Sequence, residues 1–277
     1  MDGLEIDVEQ VLYGKNPKLR KVVPGFFVRY LKKIVHQDEI NATLKIKGHL
    51  KDNEFNEAIL DMMGITYRVS GAESLPAGGR YIFVSNHPLG GLDGMVFIKE
   101  LSHHYQSIKF PVNDILLYLK NYSGIFVPIN KHGAQGREAA RELEEAYASG
   151  SQILYFPAGL CSRRKKGVIK DLQWQKSFIS KAIQHKRDVI PCYFSGRNSS
   201  FFYNLANLRT ALGIKANIEM LYLADEMFRQ KGKDIDLVFG EPVPWQTFDK
   251  SKSLSGWAEW VKNKTYELST VVTKGVY

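Results

Sequence analysis

The sequence predicts an α/β fold: a mostly parallel central sheet flanked by helices, with an N-terminal amphipathic helical arm. Three observations carry the prediction. From about residue 65 onward, short β-rich runs alternate with stretches of helical length, the pattern of βαβ units with parallel strands. Ahead of them, an aromatic and cationic segment has the periodicity of an amphipathic helix. No internal repeat, low-complexity tract or Pro/Ser-rich linker divides the 277 residues, and with 44% of them apolar one large core is expected.

Residues 1–50 are assigned to the arm and residues 51–277 to the α/β domain. In the arm, "NPKLRKVVPGFFVRYLKKIVHQDEI" predicts a helix with Pro24 in its first turn. Such a helix puts Phe26, Phe27, Tyr30, Leu31 and Ile34 on one face and Arg29, Lys32, Lys33 and His36 on the other. Aromatics opposite cations suit residues 18–36 to a membrane interface. Docking of the apolar face on the protein's own core is the alternative. The strand candidates follow as "ITYRV", "YIFVS", "SIKFP", "IFVPI", "QILYF", "VIPCYF", "IEMLYL" and "IDLVFG". Helical patterns lie at residues 93–105, 135–149, 172–185 and 201–212, and a last one at 254–271.

The formal net charge of +9 is unevenly spread. Seven Lys or Arg and no acid lie between Lys15 and Lys33; nine lie between Cys161 and Arg187, against Asp171 alone. Such surfaces suit nucleic acid, an anionic membrane or an acidic carrier protein, or are simply solvated. The second run lacks the recurring aromatics of a stacking surface, so no nucleic-acid partner is expected. With only Cys161 and Cys192, neither a disulfide framework nor a four-cysteine zinc site can form. The acidic "MDGLEIDVEQ" start lacks the apolar core of a secretory signal, and no window approaches a membrane span. The expected location is the cytoplasmic side of an inner membrane, peripherally bound.

Ligands of such sheets bind where strands end at their carboxyl edge. There, "SNHPLGGLDGMVFI" follows the apolar run "YIFV" and places His87 at a strand end and Asp93 at the start of a helix. A carboxylate that accepts the proton of one imidazole nitrogen raises the basicity of the other, which makes a general base. Asp93 as a helix N-cap and His87 as a structural donor is the competing reading.

"NHPLGGLDG" resembles the first signature block of the glycerolipid acyltransferase family, to which lysophosphatidic acid acyltransferases belong. "GIFVPINK", "FPAGLCSR" and "VIPCYFSG" are similar to its second, third and fourth blocks, in the family's order, across about residues 80–200. The resemblance implies a catalytic His87 and Asp93. It also implies an acceptor-binding region that includes Lys131, Ala158, Gly159, Arg163 and Arg164. Three departures stand out, one of them Cys161 at the usual arginine position of the third block. Five residues, "PLGGL", separate His87 from Asp93, one more than the family pattern, and Ala158 replaces the usual glutamate of the third block. The "NHPLGGLDG" and "FPAG" combination resembles a bacterial, hemolysin-like branch that completes ornithine and glycine lipids. There the acceptor is a lysolipid, a 3-hydroxyacyl chain amide-linked to an amino acid.

What the resemblance implies is direct acyl transfer without a bound cofactor, from an acyl carrier protein or coenzyme A thioester to the acceptor hydroxyl. Backbone N–H groups near Gly90, Gly91 or Gly159 are the candidate oxyanion donors. Lysophosphatidic acid as acceptor, and a non-catalytic lipid-binding protein, are the alternatives. Cys161, set among cations, is a candidate nucleophile. Ser85 and Ser162 lack the Gly-x-Ser-x-Gly elbow, and adjacent His103 and His104 cannot share one metal.

Overall fold

The structure, a computed structural model, describes residues 5–14, 17–129 and 134–274. Its strands are β1 (Arg68–Ser70), β2 (Tyr81–Ser85), β3 (Ile108–Val112), β4 (Phe126–Pro128), β5 (Gln152–Tyr155), β6 (Arg163–Lys165), β7 (Val168–Lys170), β8 (Asp188–Phe194) and β9 (Asp236–Phe239). Seven of them make one sheet in the order β1-β9-β8-β2-β5-β3-β4, while β6 and β7 form a separate hairpin. All neighbours in the sheet are parallel except β8 and β9, so the predicted, mostly parallel sheet is present with an antiparallel seam near one edge.

The helices are α1 (Val8–Gly14), α2 (Gly25–Ile34), α3 (Gln37–Lys47), α4 (Asp52–Met63), α5 (Gly91–His104), α6 (Ala134–Ala148), α7 (Ser177–His185), α8 (Ser200–Ala211), α9 (Leu223–Phe228), α10 (Leu254–Glu267) and α11 (Ser269–Lys274). They cover both faces of the sheet. The central strand β2 is buried at every position, and its alternation sorts its side chains. Phe83 points to the face covered by α4 and α5, where it meets Phe97 edge-on at 6.2 Å. Ile82 and Val84 point to the face covered by α7 and α10, among Phe178, Ile179, Ala182 and Val261. Truncating an aromatic at such a position, Phe97→Ala for example, costs about 3–5 kcal/mol.

The apolar face expected of α2 divides in two. Val28, Leu31 and Ile34 turn inward, and Leu31 and Ile34 cluster with Val8 of α1. Phe26 is 67% exposed, with Phe27 and Tyr30 also open to solvent. The helix therefore docks on the protein along one stripe and leaves an aromatic stripe uncovered.

Three sequence expectations need correction. "IEMLYL" is not a strand but a 3-10 turn (Ile218–Tyr222) leading into α9. Its buried residue is Glu219, drawn inward by Arg163 and Arg209, while Leu221 is exposed. The helix expected at 172–185 starts only at Ser177, because the carbonyls of Asp171 and Leu172 accept from Lys262 Nζ (3.2 and 2.9 Å) instead of from helix N–H groups. The C-terminal helix is interrupted between Glu267 and Ser269.

Candidate active site

The chain leaving β2 is held on both sides. Asn86 Nδ2 donates to the Phe194 carbonyl at 2.8 Å and its Oδ1 accepts from the Phe194 N–H at 2.7 Å, tying the end of β2 to the end of β8. The His87 carbonyl accepts from the Ser162 N–H (2.8 Å), and the His87 N–H donates to Asp171 Oδ1 (3.2 Å). The chain then turns at Gly90, with φ +79°; a Cβ there would lie 3.0 Å from a Leu223 methyl and 3.2 Å from Cys161 Sγ. Only glycine takes that backbone conformation at no steric cost. This turn absorbs the extra residue of "PLGGL" and delivers Asp93 to the first turn of α5.

His87 Nδ1 lies 3.0 Å from Asp93 Oδ2. The same oxygen accepts from the N–H groups of Leu89 (2.9 Å) and Gly90 (3.2 Å). An oxygen already receiving two backbone protons is an acceptor for the third partner, so Nδ1 donates to it and Nε2 is the ring nitrogen left to exchange a proton with a substrate. Asp93 is wholly buried; burial pushes its carboxyl up, against the pull of His87 and the Leu89 N–H. The imidazole stacks on Phe156 (centroids 4.2 Å apart, 23° between planes) and 17% of the side chain stays exposed. A ring clamped between a carboxylate and an aromatic face, with one edge accessible, has the geometry of an oriented base.

Sequence reasoning missed the support behind this pair. Asp171 Oδ1 accepts from Ser162 Oγ–H (2.6 Å) as well as from the His87 amide, and Oδ2 accepts from Trp174 Nε1–H (2.8 Å). One buried carboxylate thus fixes the His87 backbone to the third signature block. The signal was there: Asp171 is the lone acid between Cys161 and Arg187.

The other expected site residues are distributed as follows. Lys131 lies outside the described residues. Ala158 is buried in the cluster beneath α7 and α10. The Gly159 N–H closes a turn on the Phe156 carbonyl (3.0 Å), and that of Gly90 is committed to Asp93, which leaves Gly91 as the unbonded donor of the three among the described residues. Arg163 does not face a headgroup. It is buried, bonded to Glu219 Oε1 (2.9 Å) and to the Cys161 carbonyl (2.7 Å), because a fully buried Glu219 requires a cation. Arg164 points outward, over the Tyr203 ring and bonded to Asn204 Oδ1 (2.5 Å). Cys161 has no solvent exposure, and burial pushes its thiol up to about 12, which removes it as a nucleophile.

A cavity of about 740 Å³ opens at the carboxyl ends of β2 and β8, its wall including Asn86, Pro88, Arg164, Tyr193, Arg197 and Asn198. His87 itself does not line it, although both of its chain neighbours, Asn86 and Pro88, do. The basic run forms the β6–β7 hairpin beside the cavity. Its two-residue turn, Lys166 (φ +48°) and Gly167 (φ +82°), has both central residues at positive φ, as tight hairpins require. Among the described residues, no group of three or more His, Cys, Asp or Glu converges as metal ligands, and no helix is long and apolar enough to cross a membrane.

The acyltransferase family profile matches residues 10–275. A lyso-glycine lipid O-acyltransferase of Bacteroides thetaiotaomicron is 52% identical over 264 residues, covering 95% of this chain and 97% of that protein. One from Phocaeicola vulgatus is 48% identical over 264 residues, covering 95% of each chain. Among solved structures, the chain is similar to the crystal structure of the 1-acyl-sn-glycerophosphate (LPA) acyltransferase PlsC from Thermotoga maritima, at 20% identity and a TM-score of 0.48, covering 95% of this chain and 90% of that one.

Proposed function

The chain belongs to the acyltransferase family, and from that premise we propose that it moves a fatty acyl chain from a thioester to the hydroxyl of a lysolipid, an N-(3-hydroxyacyl) glycine. The observation that carries the reading is the His87–Asp93 pair, 3.0 Å apart, in a segment whose flanking residues Asn86 and Pro88 line a cavity that also holds Arg164. The two relatives, both lyso-glycine lipid O-acyltransferases, suggest the acceptor class.

In the proposed step, His87 Nε2 takes the proton of the acceptor hydroxyl as its oxygen attacks the thioester carbonyl carbon. The new C–O bond gives a tetrahedral oxyanion, for which the Gly91 N–H at the start of α5 is the candidate donor. Collapse breaks the C–S bond, and the departing thiolate takes the proton from His87. Asp93 holds the ring in the required tautomer and balances the transient imidazolium. The acyl thioester is carried by an acyl carrier protein or coenzyme A; the hairpin cations Lys165 and Lys166 suit an acidic carrier. The uncovered aromatics Phe26, Phe27 and Tyr30, with Arg29 and Lys33 beside them, suit peripheral binding at an anionic bilayer.

The test is a side-by-side assay of the purified protein with an acyl carrier protein thioester and three acceptors: lyso-glycine lipid, lyso-ornithine lipid and lysophosphatidic acid. Preferential acylation of the glycine acceptor is expected. Transfer to lysophosphatidic acid alone, or to none of the three, would overturn the reading.

A further inference from the structure

Asn198 sits in the wall of the cavity with a carboxamide that has no partner. The residue is 3% exposed, and both Nδ2 and Oδ1 are buried without a hydrogen bond among the described residues. Its backbone is fixed, since its N–H donates to Tyr203 Oη at 3.1 Å. Asn86, in the same cavity wall, spends both ends of its carboxamide on Phe194. A buried amide whose donor and acceptor are both idle is rare in folded proteins, because leaving such groups unpaired is costly. A ligand that fills both explains it.

The charges around Asn198 narrow the ligand. Arg164, Arg197 and Lys233 line the cavity. Arg197 and Lys233 make no ion pair among the described residues, and the lining acid, Asp234, is held by Arg68 at 2.9 Å. The site thus offers an NH₂ donor group and a C=O acceptor in one plane, next to cations without ion-pair partners among the described residues. An N-acyl amino acid offers the complement: a secondary amide with one C=O and one N–H, and a carboxylate one carbon further on. The span is short. From the hydroxyl-bearing carbon of an N-(3-hydroxyacyl) glycine to its carboxylate carbon is about 6 Å, one trans peptide unit plus a bond at each end. The chain neighbours of His87, Asn86 and Pro88, line the cavity, and the proposal requires a substrate of this span to join the base to it.

We propose that this cavity is the headgroup site, with Asn198 pairing reciprocally with the acceptor's amide while Arg164, Arg197 and Lys233 receive its carboxylate. The proposal rests on the reading of the chain as an acyltransferase of a lyso-aminolipid and adds the residue that selects the amide linkage. A glycerol ester has no N–H for Asn198 Oδ1. An ornithine headgroup would bring a further ammonium into a site already holding three cations.

The experiment compares N-(3-hydroxyacyl) glycine with its ester isostere, the 3-hydroxyacyl glycolate, which keeps hydroxyl, carbonyl and carboxylate and lacks only the N–H. Wild type should favour the amide by about tenfold to hundredfold in kcat/KM, the effect of leaving one buried acceptor unpaired. In Asn198→Ala and Asn198→Leu that ratio should fall to near unity, at an unchanged or higher melting temperature. Arg197→Ala and Lys233→Ala should raise KM for both acceptors alike. An amide preference that survives both Asn198 variants overturns the proposal while leaving the acyltransferase reading intact. If wild type acylates neither compound, that reading fails, and binding of N-hexanoylglycine decides the site by itself: binding lost in Asn198→Ala supports it, and no binding by wild type overturns it.

Discussion

Replacing Asp93 with asparagine separates charge from geometry in the proposed catalytic pair. Asparagine can present its carbonyl where Oδ2 now lies, so the N–H groups of Leu89 and Gly90 and the Nδ1–H of His87 keep their acceptor, and the tautomer survives. What is lost is the negative charge 3.0 Å from a ring that becomes cationic as it takes the hydroxyl proton. At an effective dielectric constant of about 20, two unit charges at that separation interact by roughly 5 kcal/mol, an upper bound of about 10⁴ in rate. Solvent reaches the 17%-exposed imidazole, so a loss of about 10³ in kcat is expected. Single-turnover kinetics with the glycine acceptor measures it, and KM for the acceptor should stay within a few-fold. A rate within tenfold of wild type would refute the assignment of Asp93 as the charge that supports the base. A pH signature accompanies the substitution. Burial raises the Asp93 carboxyl, so the folded protein holds that proton more tightly than the unfolded chain does. Stability from this group therefore falls as pH rises above the ordinary carboxylate value of about 4. Asparagine carries no such penalty, so the melting temperature of Asp93→Asn relative to wild type should become more favourable as pH rises above about 4. A difference that does not change with pH would contradict the desolvated carboxylate.

Three further outcomes follow from the same contacts. Asp171→Ala frees the His87 amide and Ser162 Oγ and should cut kcat by about 10²-fold through misplacement of the ring, with circular dichroism unchanged; full activity would remove Asp171 from the support of the site. Cys161→Ala should retain turnover, and native protein should resist alkylation at pH 8, since burial holds the thiol up at about 12. Arg187 is fully buried and donates to the carbonyls of Tyr147 (2.7 Å), Ser151 (2.8 Å) and Ser149 (2.6 Å); Arg187→Ala should cost about 3–5 kcal/mol in urea unfolding, and a cost below about 1 kcal/mol would mean those carbonyls find other donors.

The parallel sheet was legible because strands such as "YIFVS" are apolar at nearly every position, the mark of a strand covered on both faces. "IEMLYL" misled for the same reason. It is an apolar run, yet the residue that goes inside is Glu219, and only the distant Arg163 and Arg209 make that affordable. Local patterning carries no trace of a long-range ion pair. The hairpin of β6 and β7 was hidden because "RRKKGVIK" reads as charge; its one structural cue was Gly167, the second of two positive-φ turn residues. In the site, "NHPLGGLDG" placed His87 and Asp93 together, and the structure brings them to 3.0 Å across the added residue. Arg163 and Arg164, adjacent in sequence, face opposite ways because β6 is a strand. One is sealed with Glu219 and the other lines the cavity. Asn198 gave no sequence signal, since its distinction is the partner it lacks.

The central claim is that the imidazole of His87 removes the acceptor's hydroxyl proton. The most direct measurement is single-turnover acyl transfer by His87→Ala, with acyl carrier protein thioester and lyso-glycine lipid, alongside its melting temperature and acceptor affinity. The account predicts a rate lowered by about 10²–10⁴-fold with folding and acceptor binding intact. Turnover at the wild-type rate by a folded His87→Ala protein would contradict it.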